Sequence, residues 1–346
     1  MDIFTVYLPI AETSFNALIL VAIGFSVGVL GGFFGVGDAW VVTPALNIFG
    51  FPMAYAIGTD LAHIFGKSIV ATAKHRKMGN VDMKLGLWSI VGSVIGVEAG
   101  AQVIIWLSKL GATAQNPEGF AGPVVRYSYM FLLFGLGFYM LYDFFTKDKR
   151  AAAAAAKAAT AGPAAAPKKA WNLPPMIHFP ASGITISFWV VMGVFFFTGF
   201  LSGFLGVGGG FIRMPALIYL IGCPTAIAVG TDLFSVVFAG AYGCWTYGVK
   251  GAVDIVAAIY MLIGASVGAQ IGVTAVKYIR GYGIRLLFAV MIILAGIAVV
   301  FKQFGFKPYD AIVVMGGALG MCAIIMAKLW AGFKKEKADK MMGLGH

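Results

Sequence analysis

Seven ionisable side chains stand inside the long apolar runs of this 346-residue chain: Asp38, Asp60, His63, Lys67 and Glu98 in its first half, Arg213 and Asp232 in its second. Each costs about 2.5–3.5 kcal/mol at a bilayer centre on insertion scales, so those retained usually face a protein interior or a water-filled site. Arg213 is the sharpest of them. It follows the Gly208-Gly209-Gly210 run, in the first turn of a short apolar segment. Glycines let backbone N–H groups approach a ligand, a helix N-terminus is partly positive, and a guanidinium adds a planar fork of donors. Together they would hold an oxyanion. The structural alternative is an ion pair from Arg213 to Asp232 or Asp60 that only ties helices together.

Asp60, His63 and Lys67 are spaced i, i+3, i+7 and share one helix face. Their duplicates in the second half are Asp232, Ser235 and Ala239. An Asp present in both halves beside an imidazole and an ammonium present in one suggests a common structural group plus a specialised site. The alternatives are aspartates that only accept backbone hydrogen bonds and a Lys67 that snorkels to the membrane edge. Asp38 stands where the second half has Gly209 and would repel an anion unless protonated or paired. It is either a partner for Lys67 or, with Asp60 and Asp232, a candidate proton-coupling group. Glu98, duplicated as Gln270, is a weaker relay candidate. Gly35, Gly37 and Thr59, with Gly206, Gly208, Gly209, Gly210 and Thr231, complete the expected substrate-binding set.

The chain has no Walker motif, HExxH or GxSxG, and His63, His75, His178 and His346 lack metal-ligand spacing. Neither an enzyme, a metal nor a cofactor is expected. Cys223, Cys244 and Cys322 lie in or beside apolar runs without a CxxC and read as small packing residues. The net charge of +11 comes from Lys and Arg clustered in short loops, which marks membrane topology, not nucleic-acid binding.

The elements that must position these groups are membrane helices. Hydrophobic residues make up 60% and charged residues 11% of the chain, against about 25% charged in soluble domains. Runs near 15–34, 53–73, 83–107, 124–145, 184–205, 225–247, 252–276, 284–301 and 311–330 are long enough to cross a bilayer. Ala39 to Phe49 and Phe211 to Ile221 are too short, and Gly50, Pro52, Gly222 and Pro224 close them, which predicts re-entrant half-helices. The fold class is all-α, a polytopic membrane protein of about 8–10 segments.

The chain is duplicated. GFFGVGDAWVVTPAL (32–46) answers GFLGVGGGFIRMPAL (203–217), GTD recurs at 58–60 and 230–232, and GNVD (79–82) meets GAVD (251–254). Basic clusters at Lys74–Lys77, Lys147–Arg150, Lys168–Lys169 and Lys334–Lys337 fit one cytoplasmic face if the two repeats are inverted. This divides the chain into a membrane repeat (1–146), a cytoplasmic Ala/Pro/Lys-rich linker (147–183), a second repeat with an additional last span (184–333) and a basic tail (334–346). A helical spacer is open to the first half of the linker only, because Gly162, Pro163 and Pro167 stop the helix. The N-terminus lacks a basic n-region or cleavage site, so the first apolar run is expected to be retained.

With these motifs in hand, the chain resembles the TauE/SafE family of sulfite and sulfonate exporters: a glycine-rich break in each half, Pro44 and Pro215 in the short helices, and a GTD turn into the next helix. It departs from the pattern at Gly37-Asp38-Ala39, where later glycines are missing. The resemblance implies a secondary transporter in a bacterial-type inner membrane that carries small sulfur-containing anions, such as sulfite, thiosulfate or organosulfonates. Transport would be outward and without ATP. Broken helices and membrane charges independently suggest alternating access around a site between the repeats. Rival readings are an ion-coupled cation or metal carrier, against which Arg213 counts, an anion channel, and an intramembrane enzyme or assembly factor. The expected partners are a small anion, the lipid bilayer and a coupling proton or ion; the sequence sets no oligomeric state.

Overall fold

The computed structural model describes residues 5–8, 13–35, 39–113, 119–160, 173–206, 209–279 and 281–341. The first half holds α1 (Ala17–Phe34), α2 (Ala39–Ile48), α3 (Met53–Lys77), α4 (Met83–Lys109) and α5 (Ala121–Thr160). The second holds α6 (Phe188–Leu205), α7 (Gly210–Ala216), α8 (Thr225–Gly248), α9 (Ile255–Ala275), α10 (Gly281–Gln303) and α11 (Tyr309–Met341). Eight of them are long and apolar enough to span a membrane. α3 has the length, 25 residues, but carries the ionisable groups on its buried side. Phe131, Phe145, Trp245 and Trp330 point outward, as side chains that face lipid do. This is a multi-pass membrane protein.

The glycine-rich breaks end α1 and α6. Gly35 and Gly206 cap them in the left-handed conformation (φ 73° and 76°), which an L-residue resists. α2 is 10 residues long, about 15 Å. α7 is shorter still and passes into a π-helical turn, Leu217–Ile221, that closes on Gly222 (φ 86°). Each short helix contains the proline expected of it, Pro44 or Pro215, which removes a backbone donor and prevents a regular continuation.

The helices pair across the two halves. α1 packs along α9 and α4 along α6, and α3 packs on α8. Gly24, Gly28 and Gly32 lie against the backbone at Met261, Ala265 and Ala269, so α1 and α9 run parallel. Gly92, Gly96 and Gly100 meet α6 in the same ascending order, whereas Leu61 and Phe65 of α3 meet Gly243 and Gly240 of α8 in descending order. α3 and α8, which hold corresponding sequence positions, therefore point in opposite directions.

Both GTD segments lie within helices, α3 and α8, and not in the turns expected before them, because each helix already starts after Pro52 or Pro224; both meet the opposite half. Thr59 Oγ1 accepts from Asp254 N (2.9 Å) and Thr231 Oγ1 from Asp82 N (2.8 Å). Asp82 and Asp254 in turn cap α4 and α9, accepting from Leu85 N and Ala257 N at 3.0 Å. Replacing either Thr by Val leaves a buried N–H unsatisfied. Thr59→Val and Thr231→Val are each expected to cost about 1–3 kcal/mol, read as a fall of several degrees in Tm in detergent.

Two short antiparallel hairpins lie outside the sequence expectation. β1 (Thr5–Leu8) pairs with β2 (Thr13–Asn16), and β3 (Met176–Phe179) with β4 (Ile184–Ser187). β4 takes the first four residues of the predicted 184–205 span, so α6 begins at Phe188. The second hairpin is anchored by Ser182, whose backbone N–H donates to Asp82 Oδ2 (3.0 Å), and by Lys84 Nζ, which donates to His178 O (2.7 Å). α5 continues through the alanine run to Thr160, short of the predicted stop at Gly162.

Candidate functional site

Asp60 lies two turns into α3 with its side chain fully buried. Thr43 of α2 donates its hydroxyl to Asp60 Oδ2 at 2.8 Å, and His63 Nδ1 is 3.4 Å from Oδ1. His63 Nε2 has no hydrogen-bond partner among the described residues. The predicted i, i+3 pair thus forms, and the short helix supplies its third member. Lys67 is also fully buried, so it does not snorkel, and it lies within electrostatic reach of Asp232 on α8.

Arg213 projects from α7 and is fully buried. Its Nε donates to Thr198 Oγ1 of α6 (3.1 Å), and its guanidinium lies 5.6 Å from the Phe195 ring centroid. Nη1 is 3.4 Å from Asp232 Oδ1. Neither Nη atom and neither Asp232 oxygen makes a hydrogen bond among the described residues. Gly209 (φ 77°) caps α7 directly beside this group, where an added Cβ would stand 2.8 Å from Nη2. The ion pair weighed from the sequence is therefore present, but its forks are not spent on hydrogen bonds. A buried charge pair is a net gain only when its remaining donors and acceptors are satisfied, so this pair is poorly explained as a structural tie alone.

Arg213 and Lys67 thus face Asp232 between α3, α7 and α8, while Asp60 is held by Thr43 of α2 and by His63 on its own helix. Gly35 packs against Val229 near the start of α8, and Gly206 against Ile57 near the start of α3. Each glycine break therefore abuts the GTD helix of the opposite half. Thr59 and Thr231 sit beside the aspartates with their hydroxyls engaged across the halves. Gly210 is buried at the start of α7. Gly37, Asp38 and Gly208 lie outside the described residues. Glu98 lies apart from the cluster, accepting from Thr246 (3.0 Å) and Gln102.

Open recesses lie at opposite ends of α3, a helix about 37 Å long. The one at its start has a volume of about 580 Å³ and is lined by Tyr55, Gln102, Ser108, Lys109 and Lys250. The other, about 470 Å³, is lined by Lys77, Met78, Asn80, Ala226, Val276 and Lys277. Among the described residues both are lined by two lysines and no carboxylate, which raises the local concentration of anions.

Several members of this region escaped the sequence reading. Tyr129 is buried and donates to Leu205 O (2.8 Å), and Tyr247 donates to Gly203 O (2.8 Å). His75, expected in an exposed basic loop, is buried with Nε2 3.3 Å from Gly32 O. His75 and Tyr247 occupy duplicate positions and hold duplicate glycine carbonyls one residue turn before each break. Following the repeat beyond GTD would have aligned them, but the two residue types differ.

The profile of the family described as "Sulfite exporter TauE/SafE" matches residues 20–299. Among similar curated proteins, the "Probable membrane transporter protein YunE" of Bacillus subtilis (strain 168) is 26% identical over 82% of this chain and 97% of its own. The "Probable membrane transporter protein YjnA" of the same organism is 26% identical over 73% and 87%. The "Probable membrane transporter protein MJ0441" of Methanocaldococcus jannaschii is 36% identical over 22% of this chain and 32% of its own. No solved structure matches the chain.

Proposed function

Because the chain belongs to the TauE/SafE sulfite exporter family of membrane transporters, we propose that it is a secondary carrier of small sulfur-containing oxyanions. It works by alternating access, without ATP, with Arg213 as the principal anion contact. The observation that carries this reading is the buried Arg213 guanidinium beside the bare Gly209 backbone, with both Nη atoms free of hydrogen bonds among the described residues. A tetrahedral or pyramidal oxyanion would take the two donors that Asp232 contacts only loosely. The carboxylate would then turn to the buried ammonium of Lys67 on α3.

The lysines at both recesses favour an anion over a cation or metal. The opposed directions of α3 and α8 support an inverted pair of repeats that would exchange access between the two recesses. Asp60 and Asp232 are the coupling groups in this scheme, with His63 as the exchange partner of Asp60.

The test is uptake of labelled sulfite, thiosulfate and a simple sulfonate into proteoliposomes, with mutual competition and with or without a pH gradient. Saturable uptake of one of these anions is expected. Asp60→Asn should keep binding but lose at least 10-fold of the stimulation by the pH gradient. Unchanged gradient dependence in that variant would remove Asp60 from coupling. Absence of uptake for all the anions would overturn the cargo assignment.

A further inference from the structure

α11 is 33 residues long, about 50 Å, and outruns the roughly 30 Å hydrocarbon core of a bilayer. Its last turns do not project freely. Tyr278, in the segment between α9 and α10, donates its hydroxyl to Glu336 Oε2 at 2.7 Å. The same ring lies 5.2 Å from that of Phe333 and rests on Gly332, where a Cβ would collide with it. At 100° per residue, Gly332, Phe333 and Glu336 occupy one side of the helix. The rest of the circumference carries Lys334, Lys335 and Lys337, all exposed, one turn beyond the outward-facing Trp330.

Two features point to the same partner. Tryptophan sits preferentially at the level of lipid headgroups, so Trp330 places the three lysines just beyond them. A juxtamembrane cluster of this kind gains about 1 kcal/mol per cation from an anionic leaflet. The helix is fixed on its other side by Tyr278, so the lysines are presented without much further loss of freedom. Tyr278 also adjoins Val276 and Lys277, which line the recess at the Lys77 end of α3.

We propose that the basic extension of α11 binds anionic lipid headgroups and, through Tyr278, transmits that contact to the Lys277 rim of the recess. The occupant is a lipid surface; free phosphate shares the headgroup chemistry but lacks the membrane to hold it beside Trp330. The full chain thereby responds to the charge of the leaflet in which it sits.

Two measurements test this without any transported substrate, so they stand or fall separately from the cargo assignment. The first is retention of phosphatidylglycerol by the purified protein, measured by native mass spectrometry. Wild type should keep several-fold more than Lys334→Gln/Lys335→Gln/Lys337→Gln, and millimolar inorganic phosphate should not displace it. Equal retention, or displacement by phosphate, would overturn the lipid assignment.

The second is the labelling rate of a Lys277→Cys variant by a membrane-impermeant maleimide, in vesicles of phosphatidylcholine alone or with a third phosphatidylglycerol. The wild-type chain run in parallel gives the background from its own cysteines. The rate should change at least 3-fold with lipid charge, and the triple Gln substitution or Tyr278→Ala should remove that change. A rate indifferent to lipid charge would overturn the link to the recess.

Discussion

Arg213→Gln is expected to lower saturable anion uptake at least 100-fold. A guanidinium that gives an oxyanion two charge-assisted hydrogen bonds supplies about 1.5–3 kcal/mol for each, and their loss corresponds to roughly 10²–10⁴ in affinity. The single variant also strands Asp232, fully buried, without its 3.4 Å partner. Such an uncompensated charge costs about 3–5 kcal/mol and threatens the fold. The decisive comparison is therefore Arg213→Gln/Asp232→Asn, which removes both charges together. If the pair were only a tie between α7 and α8, the double variant would regain saturable anion exchange measured without a pH gradient, a readout that does not need Asp232 as a coupling group. With Arg213 as the anion contact, it regains thermal stability and stays inactive. Arg213→Lys keeps the charge but loses the planar fork and the Nε bond to Thr198, and should retain activity reduced about 10–100-fold.

The second large effect is expected in the helix contacts. Gly264→Leu, Gly268→Leu or Gly96→Leu should each leave little folded protein, a loss above about 3 kcal/mol. A Cβ at Gly268 would fall on the Phe25 carbonyl, and one at Gly264 on that of Val21; at Gly96 it would fall on Phe196. These are backbone atoms of a neighbouring helix and cannot swing aside. Gly193 and Gly316 provide the control, since nothing lies within 4 Å of a Cβ at either. Gly193→Ala and Gly316→Ala should be neutral or stabilising by up to about 1 kcal/mol through helix propensity. Melting curves by size-exclusion detection separate the two classes. Equal tolerance at all these positions would mean that α1–α9 and α4–α6 are not in such close contact.

Much of this architecture was legible in residue order. Length and proline position were enough for the half-helices at Pro44 and Pro215, because a run near 15 Å cannot cross a membrane whatever its composition. The i, i+3 pair of Asp60 and His63 follows from helical period alone. The hairpins did not show, since MIHF and ITIS are as apolar as the helix that follows and four residues carry too little alternation. Nor did the pairing of α1 with α9. Glycines at every fourth position announce that a backbone will come close, but not which one. Arg213 and Asp232 were visible as a possible pair; that their forks remain without hydrogen bonds depends on angles that no sequence encodes. His75 was hidden by its neighbours Lys74, Arg76 and Lys77, which are less buried and suggested a solvated loop.

The crossing of helices between halves also has a cost in time. Thr59 meets its partner Asp254 across 195 residues, and Lys74 meets Thr274 across 200. At a ribosomal pace of about 5–20 residues per second, α3 waits roughly 10–40 s for the strand of polypeptide that completes it. Through that interval the glycine-lined face of α1 and the charges of α3 are already in or near the membrane with no protein to cover them. A nascent chain halted before α9 is therefore not half a transporter. It is an unfinished surface, held by the insertion machinery or recognised by quality-control proteases, and its survival depends on how quickly the second half is made.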